Sequence, residues 1–112
     1  PYYYDLGDFL LVHAGFNFKA PNPFEDYNEM LWVRGFTPDK DWLGNKIIIH
    51  GHTPVHKATI MEAIHNRYTV IPLDNGCVFS QGNYSSEHGN LLCLDLDTFE
   101  VTSQPNINDL VR

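Results

Sequence analysis

The sequence is short of basic residues, of cysteine and of long apolar runs. Lys and Arg number 7 against 14 Asp and Glu, so the formal net charge over 112 residues is -7. A nucleic-acid polymer needs a basic surface, so we expect no such partner for this chain. No stretch reaches the ~18 apolar residues of a membrane-spanning helix, so we expect no membrane partner either.

Cysteine occurs twice, as Cys77 and Cys93, each in an apolar run typical of a strand. This usage favours buried, reduced thiols over a disulfide, and a cytoplasmic protein over a secreted one. The start of the chain has neither the basic nor the apolar segment of a signal peptide. It also has no initiator methionine, which is typical of an internal fragment, a processed product or a truncated chain.

Apolar residues, by contrast, are plentiful, at 43% of the chain, and their spacing predicts a globular α+β protein rich in strands. We expect about six or seven strands and one clear short helix. The helix is predicted to start after Asn22, with Pro23 at its first position, and to run for about two turns. The strands are expected at 8–13, 46–49, 67–73, 77–80, 91–96 and 99–102, with a further short one at 56–61.

The last third of the chain is predicted to be an antiparallel meander, with Asp74, Asn75 and Gly76 as a tight turn between strands. Residues 37–45 are expected to form a loop and 62–67 a polar connection. The domain is predicted to span 1–102, with a polar tail at 103–112. One short helix cannot cover both faces of so apolar a sheet. The strands therefore form a sandwich, or covering layers lie outside this sequence.

Histidines follow two of the predicted strands. His13 ends the first strand, and His50 and His52 flank Gly51 after a run of three isoleucines. Imidazoles beside a buried strand are paired, bind a metal or face a cleft. Metal ligands converge from separate elements, so this repeated ending favours a metal site over satisfied core histidines.

Arg34 lies between bulky apolar residues and a glycine, and it permits two interpretations. It can be a surface arginine whose stem packs on Trp32. It can also be a fixed planar fork for a phosphate or carboxylate. Composition alone slightly favours the first.

Four segments in order carry a family resemblance: Leu-Val-His-Ala-Gly at 11–15, Leu-Trp-Val-Arg-Gly at 31–35, Ile-His-Gly-His-Thr-Pro-Val at 49–55 and Leu-Asp-Asn-Gly-Cys-Val at 73–78. Together they resemble the C-terminal half of the metallophosphoesterase superfamily, and most of all its serine/threonine protein phosphatase family. The bis(5'-nucleosyl)-tetraphosphatases are relatives of that family. The resemblance covers about 10–97 and implies half of a calcineurin-like β-sandwich with flanking helices.

The resemblance implies a hydrolase in which two divalent transition metals, Mn, Fe or Zn, activate water against a phosphate ester. His13 and His52 match two ligands of one metal, and Arg34 matches an arginine that grips the substrate phosphate. His50 would be an accessory residue beside the metal, and Tyr84 matches a substrate-binding tyrosine found in some members. The substrate would be a phosphoprotein or a phosphorylated small molecule, with a dinucleoside tetraphosphate as one alternative.

The N-terminal motifs of that family, which supply the remaining metal ligands, are absent from the sequence. We therefore expect the chain alone to be inactive and to bind at most one metal weakly, with the missing N-terminal half as its partner. An uncovered sheet would also favour self-association. Two further hypotheses remain open: a metal-binding module without catalysis, and a β-rich interaction domain.

Overall fold

A computed structural model describes residues 1–79 and 87–107 of the chain. In these ranges six strands form two sheets, and three α-helices accompany them. The elements are β1 (Tyr3–Asp5), β2 (Phe9–Val12), α1 (Tyr27–Trp32), α2 (Lys40–Leu43), β3 (Ile47–His50), α3 (Lys57–His65), β4 (Val70–Pro72), β5 (Asn90–Leu94) and β6 (Val101–Pro105). Short 3-10 turns occupy Pro23–Glu25 and Cys77–Phe79. Across the described ranges, no helix has the length and apolarity needed to cross a lipid bilayer.

The larger sheet has the strand order β1-β2-β3-β4. β1 is antiparallel to β2, whereas β2, β3 and β4 run parallel to one another. Parallel neighbours need crossover connections. α1 and α2 lie in the first crossover and α3 in the second. As a result, the carboxyl ends of β2 and β3 meet at one edge of the sheet.

One face of this sheet is closed by the chain between β2 and β3. Leu10 of β2 pairs in register with Ile48 of β3, and both side chains point to this face. Phe16, Met30 and Leu43 cover them, and each is at most 2% exposed. This cluster is one of the two buried cores of the described chain.

The opposite face is covered by α3 and by the two-stranded sheet of β5 and β6. Leu11 pairs in register with Ile49, and Ile60 and Ile64 of α3 pack on the same side. Leu92 and Leu94 of β5 reach this cluster with only partial burial. The loop before β6 adds a cation–π contact, with the Arg67 guanidinium 4.0 Å from the Phe99 ring.

The prediction of one short helix was wrong, chiefly at α3. Residues 56–61 were expected to be a strand and 62–67 a polar connection, but Lys57–His65 is one helix. Its buried residues Ile60, Ala63 and Ile64 stand at the spacing of a helical face. The β-branched pair Thr59 and Ile60 favoured a strand locally, and packing on the sheet overrides that preference. α2 likewise lies within the predicted loop 37–45.

The predicted meander was wrong in its first half, at 67–80, and its last antiparallel pair is confirmed. β4 joins the parallel sheet, and the expected partner strand at 77–80 begins as a 3-10 turn. β5 and β6 form the antiparallel pair of the last third. Because β6 continues to Pro105, the tail predicted from Ser103 begins inside a strand. Cys93 is exposed on β5, and Cys77 is partly buried, so neither thiol has the burial that was expected.

The predicted helix after Asn22 is divided in two. Asn22 caps the 3-10 turn through a 3.1 Å bond from the Phe24 amide, as its position predicts. The chain then breaks at Asp26, whose φ and ψ are not helical. Asp26 itself caps α1 by accepting from the Glu29 amide.

Candidate functional site

The carboxyl ends of β2 and β3 bring two histidines together. His13 directly follows β2, and His52 comes two residues after β3. The Gly51 amide donates to the His13 carbonyl at 2.8 Å and so extends the strand pairing past both strand ends. His13 Nε2 lies 3.1 Å from His52 Nδ1, although 39 residues separate them in sequence. The structure thus places the two predicted metal ligands side by side.

The separation of these two nitrogens suits a shared metal ion. Nitrogens bound to one ion at ~2.0–2.1 Å, at right to tetrahedral angles, stand about 2.9–3.4 Å apart. The observed 3.1 Å lies inside that interval. The same distance also permits a hydrogen bond in which one ring donates and the other accepts. In the residues that the structure describes, no group of three or more potential ligands converges.

The backbone at His52 is strained. His52 has φ 71°, a value that side-chain-bearing residues rarely adopt. The Thr53 amide donates to the Gly51 carbonyl at 2.8 Å across it, which defines a γ-turn with a positive central φ. Such turns cost free energy, so the surrounding contacts must stabilise this one. The turn aims the His52 ring at His13.

His50, the last residue of β3, faces a different environment. Its Nδ1 is 3.0 Å from the Gly51 carbonyl, and its ring meets Phe36 edge-on at 5.4 Å. Burial lowers the pKa of His50, and the nearby His52 lowers it further, while Gly51 and Asp74 oppose the shift. His50 is therefore held as the neutral imidazole beside the candidate ligands.

Phe36 packs against the turn after His13. A Cβ on Gly15 would come within 2.2 Å of the Phe36 ring, so no other residue fits at this position. The φ of Gly15, 151°, also favours glycine. The ring thus joins the segment after α1 to the turn that carries His13. The sequence signal for Gly15 was legible, whereas the role of Phe36 was missed.

Trp32 borders the histidine pair. The Trp32 indole is 6.1 Å from the His52 ring and nearly perpendicular to it. Arg34 is exposed in the segment that follows α1. The sequence indicated Trp32 only as a packing surface, so its contact with His52 was missed. Tyr84 lies outside the described residues.

A groove of about 720 Å³ opens beside the histidines. Tyr4, Leu11 and Leu73 line its apolar walls with the inner side of β5. His13, His52 and Asp74 are at its polar end. Arg34 is not among the described residues that line it. The groove runs along the more open face of the large sheet.

A buried amide fixes the turn that supplies Asp74. Asn75, only 2% exposed, donates to the Val55 carbonyl at 3.0 Å and to the Glu87 carbonyl at 2.6 Å. Its oxygen accepts from the Asn90 amide at 3.1 Å and from the Asn90 side chain at 2.9 Å. The sequence identified this residue only as part of a tight turn.

Comparison with protein-family models, with curated proteins and with solved structures finds no match for the chain. The geometry of the site therefore carries the functional argument.

Proposed function

We propose that this chain carries part of a metal-dependent phosphoesterase site, in which His13 and His52 ligate one divalent transition metal. The observation that carries this proposal is the 3.1 Å separation of their ring nitrogens at the ends of adjacent parallel strands. Imidazole suits Mn, Fe or Zn better than Mg, so the ion expected at this site is a transition metal. When bound, such an ion polarises a phosphate and acidifies water.

The other residues of the site have subsidiary roles in this proposal. Arg34 binds phosphate oxygens through its planar guanidinium, which suits an exposed arginine two residues beyond Trp32. His50, kept neutral by burial, stays uncharged next to the cation and so does not repel it. The strained turn at His52 holds its ring in position before a ligand arrives, which lowers the entropic cost of binding.

Two imidazoles cannot complete a two-metal centre. The described residues supply two donors for one ion, and a closed site needs about four. We therefore propose that the intact enzyme draws its remaining ligands from a polypeptide segment absent from this sequence. On its own, the chain binds one metal weakly and does not turn over substrate. Phosphoproteins and phosphorylated small molecules both remain substrates within this proposal.

Metal titration tests the proposal directly. Isothermal calorimetry with Zn²⁺ or Mn²⁺ should show one ion per chain, and His13→Ala or His52→Ala should abolish the binding. His65→Ala is the matched control, because His65 is an exposed histidine at the far end of α3. Metal binding that survives both His13→Ala and His52→Ala would contradict the proposal. Hydrolysis of p-nitrophenyl phosphate by the isolated chain, lost in His52→Ala, would contradict only the expected inactivity.

The open groove favours a second candidate function, an interaction domain that binds another polypeptide or a second copy of the chain. Its walls, which include Leu11 and Leu73, are mainly apolar, and covering apolar surface favours association in water. This candidate predicts association that does not depend on metal, so the calorimetric titration separates it from the first.

A further inference from the structure

The ring of Trp32 borders His52, and most of the Trp32 side chain is exposed to solvent. Trp32 ends α1 and is 65% exposed, although its neighbour Met30 is fully buried. An indole is a large, flat surface, and an exposed one beside the candidate metal ligands is available for a ligand ring to stack on. His52 borders the ring nearly at right angles and leaves most of it accessible.

Trp32 and Arg34 flank Val33 at the end of α1. Val33, the residue that ends the helix, has φ -59° and ψ 139°. Val33 is partly buried and packs toward Gly15, with its Cγ1 3.0 Å from where a Cβ on that glycine would stand. Trp32 and Arg34 are both exposed. An exposed indole beside His52 is therefore followed, two residues further on, by an exposed arginine.

We propose that Trp32 is a stacking platform for the aromatic ring of a phosphate ester whose phosphate is held by Arg34 and the metal of His13 and His52. This inference rests on the proposed function and narrows its substrate class. The preferred ligand carries a flat ring close to its phosphate, as a nucleotide or an aryl phosphate does. Stacking on an indole is tolerant of ring identity, so both sources share the same chemistry. An alkyl phosphate has no ring to place on Trp32.

A variant with Trp32 as its one tryptophan allows ligand binding to be measured by the fluorescence of Trp32 itself. The chain has two tryptophans, and Trp42 lies on α2, packed on Phe24. In Trp42→Phe, all tryptophan fluorescence comes from Trp32. With Mn²⁺ present, AMP and O-phosphotyrosine should quench this fluorescence and bind at least about tenfold more tightly than ribose 5-phosphate and O-phosphoserine. Tenfold corresponds to ~1.4 kcal/mol, within the usual range for one stacked ring.

The matched variants are Trp32→Leu and Trp32→Phe, with calorimetry as the readout. Trp32→Leu should reduce the preference for aromatic esters to within about twofold, and Trp32→Phe should keep most of it. Equal affinity for aromatic and alkyl phosphates, or a preference that survives Trp32→Leu, would overturn the inference. Comparing AMP with O-phosphotyrosine identifies which ring source fits better. Circular dichroism confirms that each variant is folded.

Metal binding measured on the same samples separates the two levels of the argument. If Mn²⁺ binds through His13 and His52 but aromatic esters show no preference, the platform is wrong and the proposed function stands. If no metal binds, the proposed function fails, and this inference fails with it.

Discussion

The two faces of the large sheet differ in how completely the chain covers them. On the closed face, Phe16, Met30 and Ile48 are all 0% exposed. On the opposite face, Ile60 and Ile71 are also 0% exposed, but Leu11 and Leu92 are only partly buried, and a groove of about 720 Å³ remains between the sheet and β5. The first face is covered by the segment between two adjacent strands, whereas the second depends on β5 and β6, which lie far along the chain.

We expect the closed face to contribute mainly to the stability of the fold and the open face to contribute mainly to binding. The closed face packs Phe16 and Met30 on β2 and β3, the paired strands that lead to His13 and His50. The open face contributes less burial and leaves accessible apolar surface next to the same histidines. Three predictions test this division, beginning with the largest expected effect.

Leu10 and Leu11 are adjacent in β2 and point to opposite faces, so they form a matched pair. Leu10 is 1% exposed, and Leu10→Ala should lower the free energy of unfolding by about 2–5 kcal/mol. Leu11→Ala should cost about 1–2 kcal/mol, because part of its surface already contacts water. Urea denaturation measures both. Equal losses would show that the two faces are equally packed.

The second prediction concerns association through the open face. Leu91 lines the groove and is 63% exposed, so Leu91→Lys should weaken self-association about tenfold in sedimentation velocity. Leu6→Lys is the control, because Leu6 is 52% exposed but lies outside the groove, in the turn between β1 and β2. A wild-type chain that stays monomeric at high concentration would refute this prediction.

The smallest effect concerns pH and the closed face. Burial lowers the pKa of His50, so the unfolded state takes up a proton more readily than the folded state. The stability from neutral His50 is therefore present above its ordinary pKa of about 6.5 and is lost as pH falls through the folded value. Melting of the metal-free chain in EDTA should show a shallower loss toward acid in His50→Gln. His65→Gln should keep the wild-type slope, and identical slopes in both variants would count against this reason.

The convergence of His13 and His52 was predictable because it depends on local patterns. Apolar runs rich in branched residues identify β2 and β3, and a histidine at the end of each points to a shared edge. Their parallel alignment follows from the long connection between them, which no tight hairpin can replace. The pairing of β2 with β3 then places His13 and His52 next to each other, regardless of which elements cover the sheet.

The remaining features depend on distant partners. Residues 57–65 carry a spacing that suits a short strand or a helix, and the apolar surface of β4 and β3 decides between them. Trp32 acquires its significance from His52, 20 positions away in the printed sequence, and no local pattern reports that contact. Phe36 likewise depends on its approach to Gly15. The local preference of a segment for helix or strand does not predict contacts between residues so far apart in the sequence.

The buried amide of Asn75 has a consequence for the order in which the chain folds. Its partners Val55, Glu87 and Asn90 lie 20, 12 and 15 residues away. Each contact closes a loop of the chain. The entropic cost of closing that loop must be met before its hydrogen bond contributes any stability. We expect the sheet centred on β2 and β3 to form first. β5 and β6 then dock as a cooperative unit, which the hydrogen bonds of Asn75 stabilise. Native-state hydrogen exchange should therefore report the groove side of the molecule opening as a foldon while the closed face stays protected.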